Sequence, residues 1–385
     1  MKFFSNNAIN RVYMHSGLQS LAYNSGGVFI YVYLLKAGVA VHLALAVLAI
    51  ILSLRLLLRL IVMPVIKRIG LRNGTILGTA IDALGYLMLG HVTELGPMLV
   101  AFIIVSSLGT TFYWTCYHAS VARLGDEEHR GSQVSAREAI FAITGIIGPI
   151  TGGLMLTFFG PVYAFALTAA LNCVGIIPLL GVPRLDIEPE ARLPLNTKLF
   201  AFGLAFSDGL VASSVNMIWR VVLFQTLGES FQAYGGALAL AGVFGALMGL
   251  GVGRMIDLGH HKRSIQIGLV VMSSTILVVA FGYHHSWSAI AANMIGAAAA
   301  PLYLSAIMTQ FYNVGKASSC TLRFNIAGEN GFDSGSAVGC TIAALFLWAG
   351  LQPFWPLLIG LAGIAGEFVI LCRRDNQKSV PSFLV

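Results

Sequence analysis

Apolar residues in this chain come in runs of about twenty, separated by short polar gaps. A helix needs roughly 20 mainly apolar residues to cross about 30 Å of hydrocarbon. Twelve runs meet that length, at 12–35, 40–63, 74–91, 98–118, 135–158, 162–180, 199–225, 233–256, 264–283, 287–312, 324–349 and 354–371. Barrel strands would alternate apolar and polar positions over about ten residues, and these runs are far longer. The pattern predicts an all-α membrane protein of twelve transmembrane helices.

Charge sharpens that picture. Charged residues make up 10% of the chain and hydrophobic ones 57%. Of the 23 Lys and Arg, 20 lie in or beside every second gap, or at the chain ends. Among them are Lys67, Arg68, Arg72, Arg123, Arg130, Arg184, Lys198, Lys262, Arg263, Lys316 and Arg323. Basic loops stay cytoplasmic, so both termini are expected there, in the inner membrane of a bacterium. The net charge of +7 then reflects topology and contact with anionic membrane lipid. It does not point to nucleic acid, because no basic stripe is interleaved with aromatics. Met1 to Arg11 lacks a short apolar core with a cleavage site, so the first span is expected to act as a retained signal-anchor. The five cysteines are scattered and read as small apolar helix residues.

The longest internal polar stretch, Gly181 to Lys198, carries Pro183, Pro189 and Pro194 among mixed charges. Prolines and charges oppose a buried helix. The stretch is expected to be a cytoplasmic linker between two six-helix bundles, 1–180 and 199–385. The halves echo each other. The gap after span two reads PVIKRIGLR from Pro64, and the one after span eight reads GLGVGRMIDLGHHKR from Gly249. Aligning Gly148 in span five with Gly339 in span eleven sets Glu138 opposite Glu329. Such internal repeats are common in transporters.

On these residues the chain resembles the major facilitator superfamily over almost its whole length. The family's loop signature, G-x-x-x-D-R-x-G-R-R, has its better copy here after span eight, through Gly253, Arg254, Asp257, Gly259, Lys262 and Arg263. The copy after span two keeps Arg68, Gly70 and Arg72, with Lys67 in place of the aspartate. Span five contains Gly148-Pro149-Ile150-Thr151-Gly152-Gly153. This is similar to the helix-five motif of the family's proton-driven exporters. Glycines there let a neighbouring helix approach closely, and proline bends the helix. Span four lacks the buried arginine that the family's antiporters use; Arg123 stands only at its end. The resemblance implies two pseudo-symmetric bundles that rock about a central site lined by spans one, four, seven and ten. The loop residues would act as gates.

Ionisable groups in mid-membrane are costly, so they are the first candidates for function. Asp208 lies about ten residues into span seven, near mid-bilayer. Glu329 and Asp333, spaced i,i+4, share a face of span eleven in an arrangement that suits reversible protonation. With Glu138 these are the candidate proton-coupling residues. Arg55 and Asp82 sit at matching depths on adjacent spans, which predicts a buried structural ion pair. A substrate cavity is expected to draw on His15, Gln19, Asn24, Trp114, Tyr117, His118, Asn216, Arg220, Tyr303 and Gln310. Aromatics with a few hydrogen-bonding groups suit an amphipathic organic ligand. The alternatives are interfacial anchoring for the aromatics and snorkelling for Arg220.

Other classes of function find no support. The chain has no H-x-x-x-H, no G-x-x-x-x-G-K-[ST] loop and no G-x-S-x-G. Neither a metal site, a cofactor nor an enzyme activity is expected. The expectation is a monomeric secondary transporter of a small organic solute, proton-coupled and directed toward efflux. An importer of an anionic metabolite or siderophore, and a non-transporting receptor or scaffold, are the alternatives.

Overall fold

The computed structural model describes residues 7–124, 130–185, 192–257 and 261–379. Among them the secondary structure is helical, and no strand occurs. Helix α1 comprises Asn7–Ser25, a 3-10 turn at Gly27–Phe29 and Ile30–Lys36. Helices α2 and α3 are the two arms of one helical run, Val41–Leu89, which turns at Gly70. Then come α4 (Pro97–Leu124), α5 (Arg130–Phe158) and α6 (Pro161–Leu180). Helix α7 is built from Leu195–Ala212, a π-turn at Ser213–Ile218, and Trp219–Thr226. Helices α8 (Phe231–Asp257), α9 (His261–Gly282), α10 (Ser286–Ala317) and α11 (Thr321–Trp348) follow. Helix α12 joins Phe354–Leu357 to Ile359–Ser379. The twelve helices follow the predicted order, and the chain is an integral membrane protein with the major facilitator fold.

Among the described residues, nine helices are long and apolar enough to cross a membrane, counting Val41–Leu89 once. Helix α9 falls short because its apolar part is only Gln266–Gly282. Helix α1 is rich in Ser, Asn, Gln and His. Several of those groups are hydrogen-bonded inside the protein. Ser16 donates to the Val12 carbonyl and its oxygen meets the Tyr117 hydroxyl, and Ser20 pairs with Thr144 at 2.6 Å.

Gly70 has φ of +81° inside the run that joins α2 to α3. That conformation is open to glycine at no steric cost and strains any residue with a Cβ. The loop is tied to the end of its own half. Leu71 N–H donates to the Leu185 carbonyl at 2.9 Å, Arg72 donates to the Val182 carbonyl at 3.0 Å, and Arg184 donates to the Arg68 carbonyl at 3.3 Å.

Within the N-terminal half, α1 packs on α5 and α6, and α3 packs on α4 and α6. Within the C-terminal half, α7 packs on α11 and α12, while α10 packs on α8 and α9. The halves meet along α5 with α8 and along α2 with α11. The largest apolar cluster spans both halves near the face opposite the chain ends, and includes Phe29, Leu48, Phe165, Phe224 and Tyr234.

Candidate functional site

Two intramembrane clusters hold the ionisable candidates, and Arg220 of one half meets Tyr23 of the other beside further predicted residues. The first cluster joins the halves. Arg55 and Arg59 project from α2, one helical turn apart. Glu329 and Asp333 project from α11 with the same spacing. Equal i,i+4 spacing on facing helices lets both pairs meet at once. Arg55 Nη2 lies 3.4 Å from Glu329 and 3.2 Å from Asp333. Arg59 Nη2 lies 3.4 Å from Glu329 and also pairs with Asp333. Arg59 Nη1 donates to Asn330 Oδ1 at 2.8 Å. His118 Nε2 from α4 stands 3.6 Å from Glu329. Asp333 is fully buried and Glu329 retains a partly exposed edge. Two guanidinium groups match two carboxylates, so the buried charge is balanced.

This corrects the expected Arg55–Asp82 pair. Arg55 turns across the interface to the acids of α11. Asp82 stays within its half and accepts from Asn172 Nδ2 on α6 at 3.5 Å, with Gln19 of α1 beside it. Depth along the two helices matched and Arg55 stays in electrostatic reach of Asp82, but its guanidinium is directed to the acids of α11. The turn at Gly70 sets α3 against α6 and leaves α2 to face α11.

The second cluster lies inside the C-terminal half. Tyr303 of α10 contacts Asp208 Oδ1 of α7 at 2.9 Å and Glu367 Oε1 of α12 at 2.6 Å. All three are buried, Glu367 completely. Glu367 Oε2 has no hydrogen-bond partner. Glycines bring these helices together: Gly363 and Gly366 of α12 lie against Ser207 of α7. The sequence reading found Asp208 but missed Glu367, although an acid in the middle of Ile359–Leu371 was the available signal. It also missed Arg59, whose spacing from Arg55 repeats that of Glu329 and Asp333.

Between the halves, Arg220 of α7 donates to the Tyr23 hydroxyl of α1 at 3.1 Å. Asn216 is exposed in the π-turn below it. Asn24 is half-buried on α1 and donates to the Ser20 carbonyl at 2.9 Å, whereas Gln19, one turn from His15, bonds Asp82 inside its own half. Trp114 is 37% exposed and stacks on His118. Gln310 is half-buried near the chain-end face of α10.

With Gln19, three further predicted cavity residues are corrected. His15 is fully buried and its Nδ1 donates to the Gly175 carbonyl at 2.8 Å, within the N-terminal half. Tyr117 is buried against Tyr113 in a stacked pair and its hydroxyl meets the Ser16 oxygen. Tyr303 is enclosed by its two acids. Each faces the inside of its own bundle because a polar group sunk in an apolar helix takes the nearest internal partner.

Helix five places its motif between two neighbours. Gly148 lies against Asn24, and Gly152 against the Ser25 carbonyl, both of α1. Gly153 lies against the Phe231 carbonyl of α8, while Gly235 of α8 lies against the Pro149 carbonyl. The expected gating residues divide. Arg68, Gly70 and Arg72 are tied to residues 182–185 of their own half, as above. The side chains of Glu138, Arg254 and Asp257, and the whole of Gly259, lie outside the described residues.

Known proteins bear on this geometry at two levels. The Major Facilitator Superfamily family model matches residues 17–202. The enterobactin exporter EntS of Salmonella typhimurium (strain LT2) is 30% identical over 145 residues, which cover 34% of this chain and 33% of that protein. The same exporter from Escherichia coli O127:H6 is 29% identical over 145 residues, with the same shares covered. The chain thus matches about a third of the length of these relatives. Among solved structures, a POT family transporter in complex with 5-aminolevulinic acid superposes with a TM-score of 0.72. The match covers 96% of both chains at 11% identity. A POT family transporter bound to a thioalcohol-conjugated peptide gives 0.71 at 12% identity, again covering 96% of both chains. At those identities the likeness is one of fold.

Proposed function

The chain belongs to the major facilitator superfamily, and from that premise we propose that it exports a small organic solute across a bacterial inner membrane by alternating access, coupled to protons. The observation that carries the reading is the charged contact between α2 and α11. Four ionised groups and Asn330 join the halves on the chain-end side of mid-membrane. Near the opposite face, the apolar cluster around Phe29, Phe224 and Tyr234 joins them again. Polar residues Tyr23, Asn24, Asn216 and Arg220 lie between these two contacts. A solute site closed toward both faces, with a breakable ionic contact on one side, is what alternating access requires. By charge distribution that ionic side is cytoplasmic.

Efflux is favoured over uptake by two observations. The Gly148-Pro149-x-x-Gly-Gly stretch packs α5 against both α1 and α8, as the exporter motif implies. The relatives at 29–30% identity are named as exporters. The POT transporters share the fold alone and set no direction.

Proton coupling rests on the Asp208–Tyr303–Glu367 cluster. A tyrosine hydroxyl has one proton to donate. It can donate to only one of the two carboxyl groups, so the other contact needs a proton on the carboxyl itself. No arginine or lysine pairs with either acid among the described residues, in contrast to the balanced α2–α11 cluster. This makes Asp208 and Glu367 the proton carriers, and gives Glu329 and Asp333 the role of holding the halves together.

Inside-out vesicles with an imposed pH gradient test the reading, with enterobactin as the first solute and a peptide panel beside it. Wild-type protein should accumulate a solute only when the vesicle interior is acidic, and acidification should be partly discharged on adding it. Asp208→Asn and Glu367→Gln should each abolish that discharge while leaving solute exchange without a gradient. Unchanged discharge in both variants would falsify the proton assignment.

A further inference from the structure

Arg220 is the intramembrane cation that the balanced cluster does not include. Among the described residues no carboxylate lies within ion-pair distance of it; its hydrogen bond goes to the Tyr23 hydroxyl of the opposite half. Tyr31 and Tyr234 are the other groups in electrostatic reach. An arginine without a counter-charge inside a membrane protein is costly. Two ordinary remedies were open. It lies six residues from the end of α7, about 9 Å, and could have snorkelled to the membrane surface. The nearby Glu229 could have paired with it, but Glu229 pairs with Lys36 instead.

The backbone aims Arg220 at the space between the halves. The π-turn Ser213–Ile218 immediately precedes it. One extra residue in a turn rotates everything after it by roughly 100° relative to a continued α-helix. Trp219, the preceding residue, is buried and donates from its indole to Asn293 of α10 at 3.1 Å. That anchor holds one side of the helix against its own bundle and leaves Arg220 pointing across to α1. π-Turns recur at functional sites because they redirect side chains in this way.

The surroundings are aromatic. Tyr234 stands edge-on to Phe29, with ring centroids 5.4 Å apart, and edge-on to Phe224 at 5.7 Å. Its hydroxyl donates to the Val28 carbonyl, so the ring is fixed. A guanidinium presents a planar fork that matches a carboxylate and stacks on aromatic faces.

We propose that Arg220, with Tyr23 and Tyr31 and backed by the closed cluster around Tyr234, forms the anion-binding end of the solute site, and that the solute class is an organic anion bearing a carboxylate beside an aromatic ring. The proposal rests on the transport reading and specifies its substrate. When the anion enters, it replaces the Tyr23 hydroxyl as the partner of Arg220 and supplies the missing negative charge. The Tyr23–Arg220 bond joins the halves when the site is empty, so the same ligand loosens that contact.

Binding of three probes to the purified full chain tests this, read as ligand-dependent thermal stabilisation. The probes are 1-naphthoate, its neutral amide, and cyclohexanecarboxylate. Wild-type protein should prefer naphthoate over the amide by about tenfold or more in apparent Kd, as expected for a charge-assisted contact. It should also prefer naphthoate over the non-aromatic acid. Arg220→Gln should erase the preference for charge, Arg220→Lys should retain part of it, and Tyr31→Leu should erase only the preference for the ring. An equal response to naphthoate and amide in wild type, or a preference that survives Arg220→Gln, overturns the proposal. The phosphodiester headgroup of phosphatidylglycerol is the other anion that a guanidinium at this place would pair with. If it stabilises the protein in an Arg220-dependent manner and naphthoate does not compete, the site belongs to a lipid headgroup and the proposal fails. Binding is read without a gradient, so its failure is separable from failure of proton-coupled flux.

Discussion

Two of the lines along which the halves touch are built from opposite materials. Where α5 meets α8, glycines bring backbone against backbone: Gly153 under the Phe231 carbonyl, Gly235 under that of Pro149, Gly242 under that of Gly145. Where α2 meets α11, long charged side chains meet: Arg55 and Arg59 with Glu329 and Asp333. Backbone contact without side chains is short-range and permits small sliding at constant separation. Ion pairs in a low dielectric are strong when complete and leave costly groups when broken. The first line therefore suits a pivot. The second suits a contact with two states, which needs water or a new partner to open. His118, poised 3.6 Å from Glu329, is one such partner.

The charged line should be the more fragile to single substitutions. Asp333→Ala leaves Arg55 and Arg59 facing one carboxylate and is expected to destabilise the protein by about 3–5 kcal/mol. The readout is the yield of folded protein and its melting temperature in detergent. The double variant Arg59→Met with Asp333→Leu should recover most of that loss, because an apolar pair of similar volume often substitutes without cost. Transport should not recover, since an apolar contact no longer opens for water. A double variant as active as wild type would show that the ion pairs are structural and do not gate.

The glycine line predicts a smaller effect with a built-in control. A Cβ at Gly235 would meet the Pro149 carbonyl, whereas one at Gly236 would meet nothing within 4 Å. Gly235→Ala should cost about 1–3 kcal/mol by forcing the helices apart. Gly236→Ala should be neutral or stabilising by up to about 1 kcal/mol, the difference in helix propensity. Equal melting temperatures for the two variants would remove the case for a close-packed pivot.

The same comparison explains what was legible in the sequence. The pivot was readable because Gly148, Pro149, Gly152 and Gly153 announce close helix approach wherever they occur in an apolar span. The twelve spans were readable because lipid demands long apolar runs. The charged line was half-readable. Glu329 and Asp333 declared a shared face by spacing, but their partners lie some 270 positions earlier on another helix. Depth, counted from a common loop, paired Arg55 with Asp82. Rotation about the helix axis decided otherwise, and rotation depends on how Gly70 turns the chain. The π-turn in α7 was equally silent, since Ser213–Ile218 has no residue that an ordinary helix would refuse. Glu367 was present as a plain signal, an acid within an apolar run, and its partner Tyr303 was read as a cavity residue. In each of these cases the residue type pointed to chemistry, while its neighbours were set by packing over long sequence separation.

Asn330 offers an intermediate probe of the charged line. It accepts from Arg59 Nη1 at 2.8 Å and holds that guanidinium in register with Asp333. Asn330→Ala should remove one hydrogen bond to a charged group, at about 1.5–3 kcal/mol, without unbalancing the charge. Stability should fall less than in Asp333→Ala, and solute exchange should speed up if opening this contact limits the rate. Slower exchange in a well-folded Asn330→Ala protein would argue that Arg59 must stay aligned for the halves to rock.

The smallest effect is expected at an exposed ion pair between the halves, Lys36 with Glu229. Their charged groups stand 3.6 Å apart, little further than the 3.4 Å of Arg55 and Arg59 from Glu329, yet each side chain is more than two-fifths exposed. Water competes for both groups, salt screens them, and ordering two long side chains opposes the gain. Lys36→Gln should therefore change stability by no more than about 1 kcal/mol, and raising ionic strength should shrink even that difference. The ion pairs of α2 and α11 have no such escape, so their variants should hold their deficit at high salt. If Lys36→Gln proved as damaging as Asp333→Ala, burial would not be what separates the two contacts, and the distal face would need to be treated as a second ionic gate.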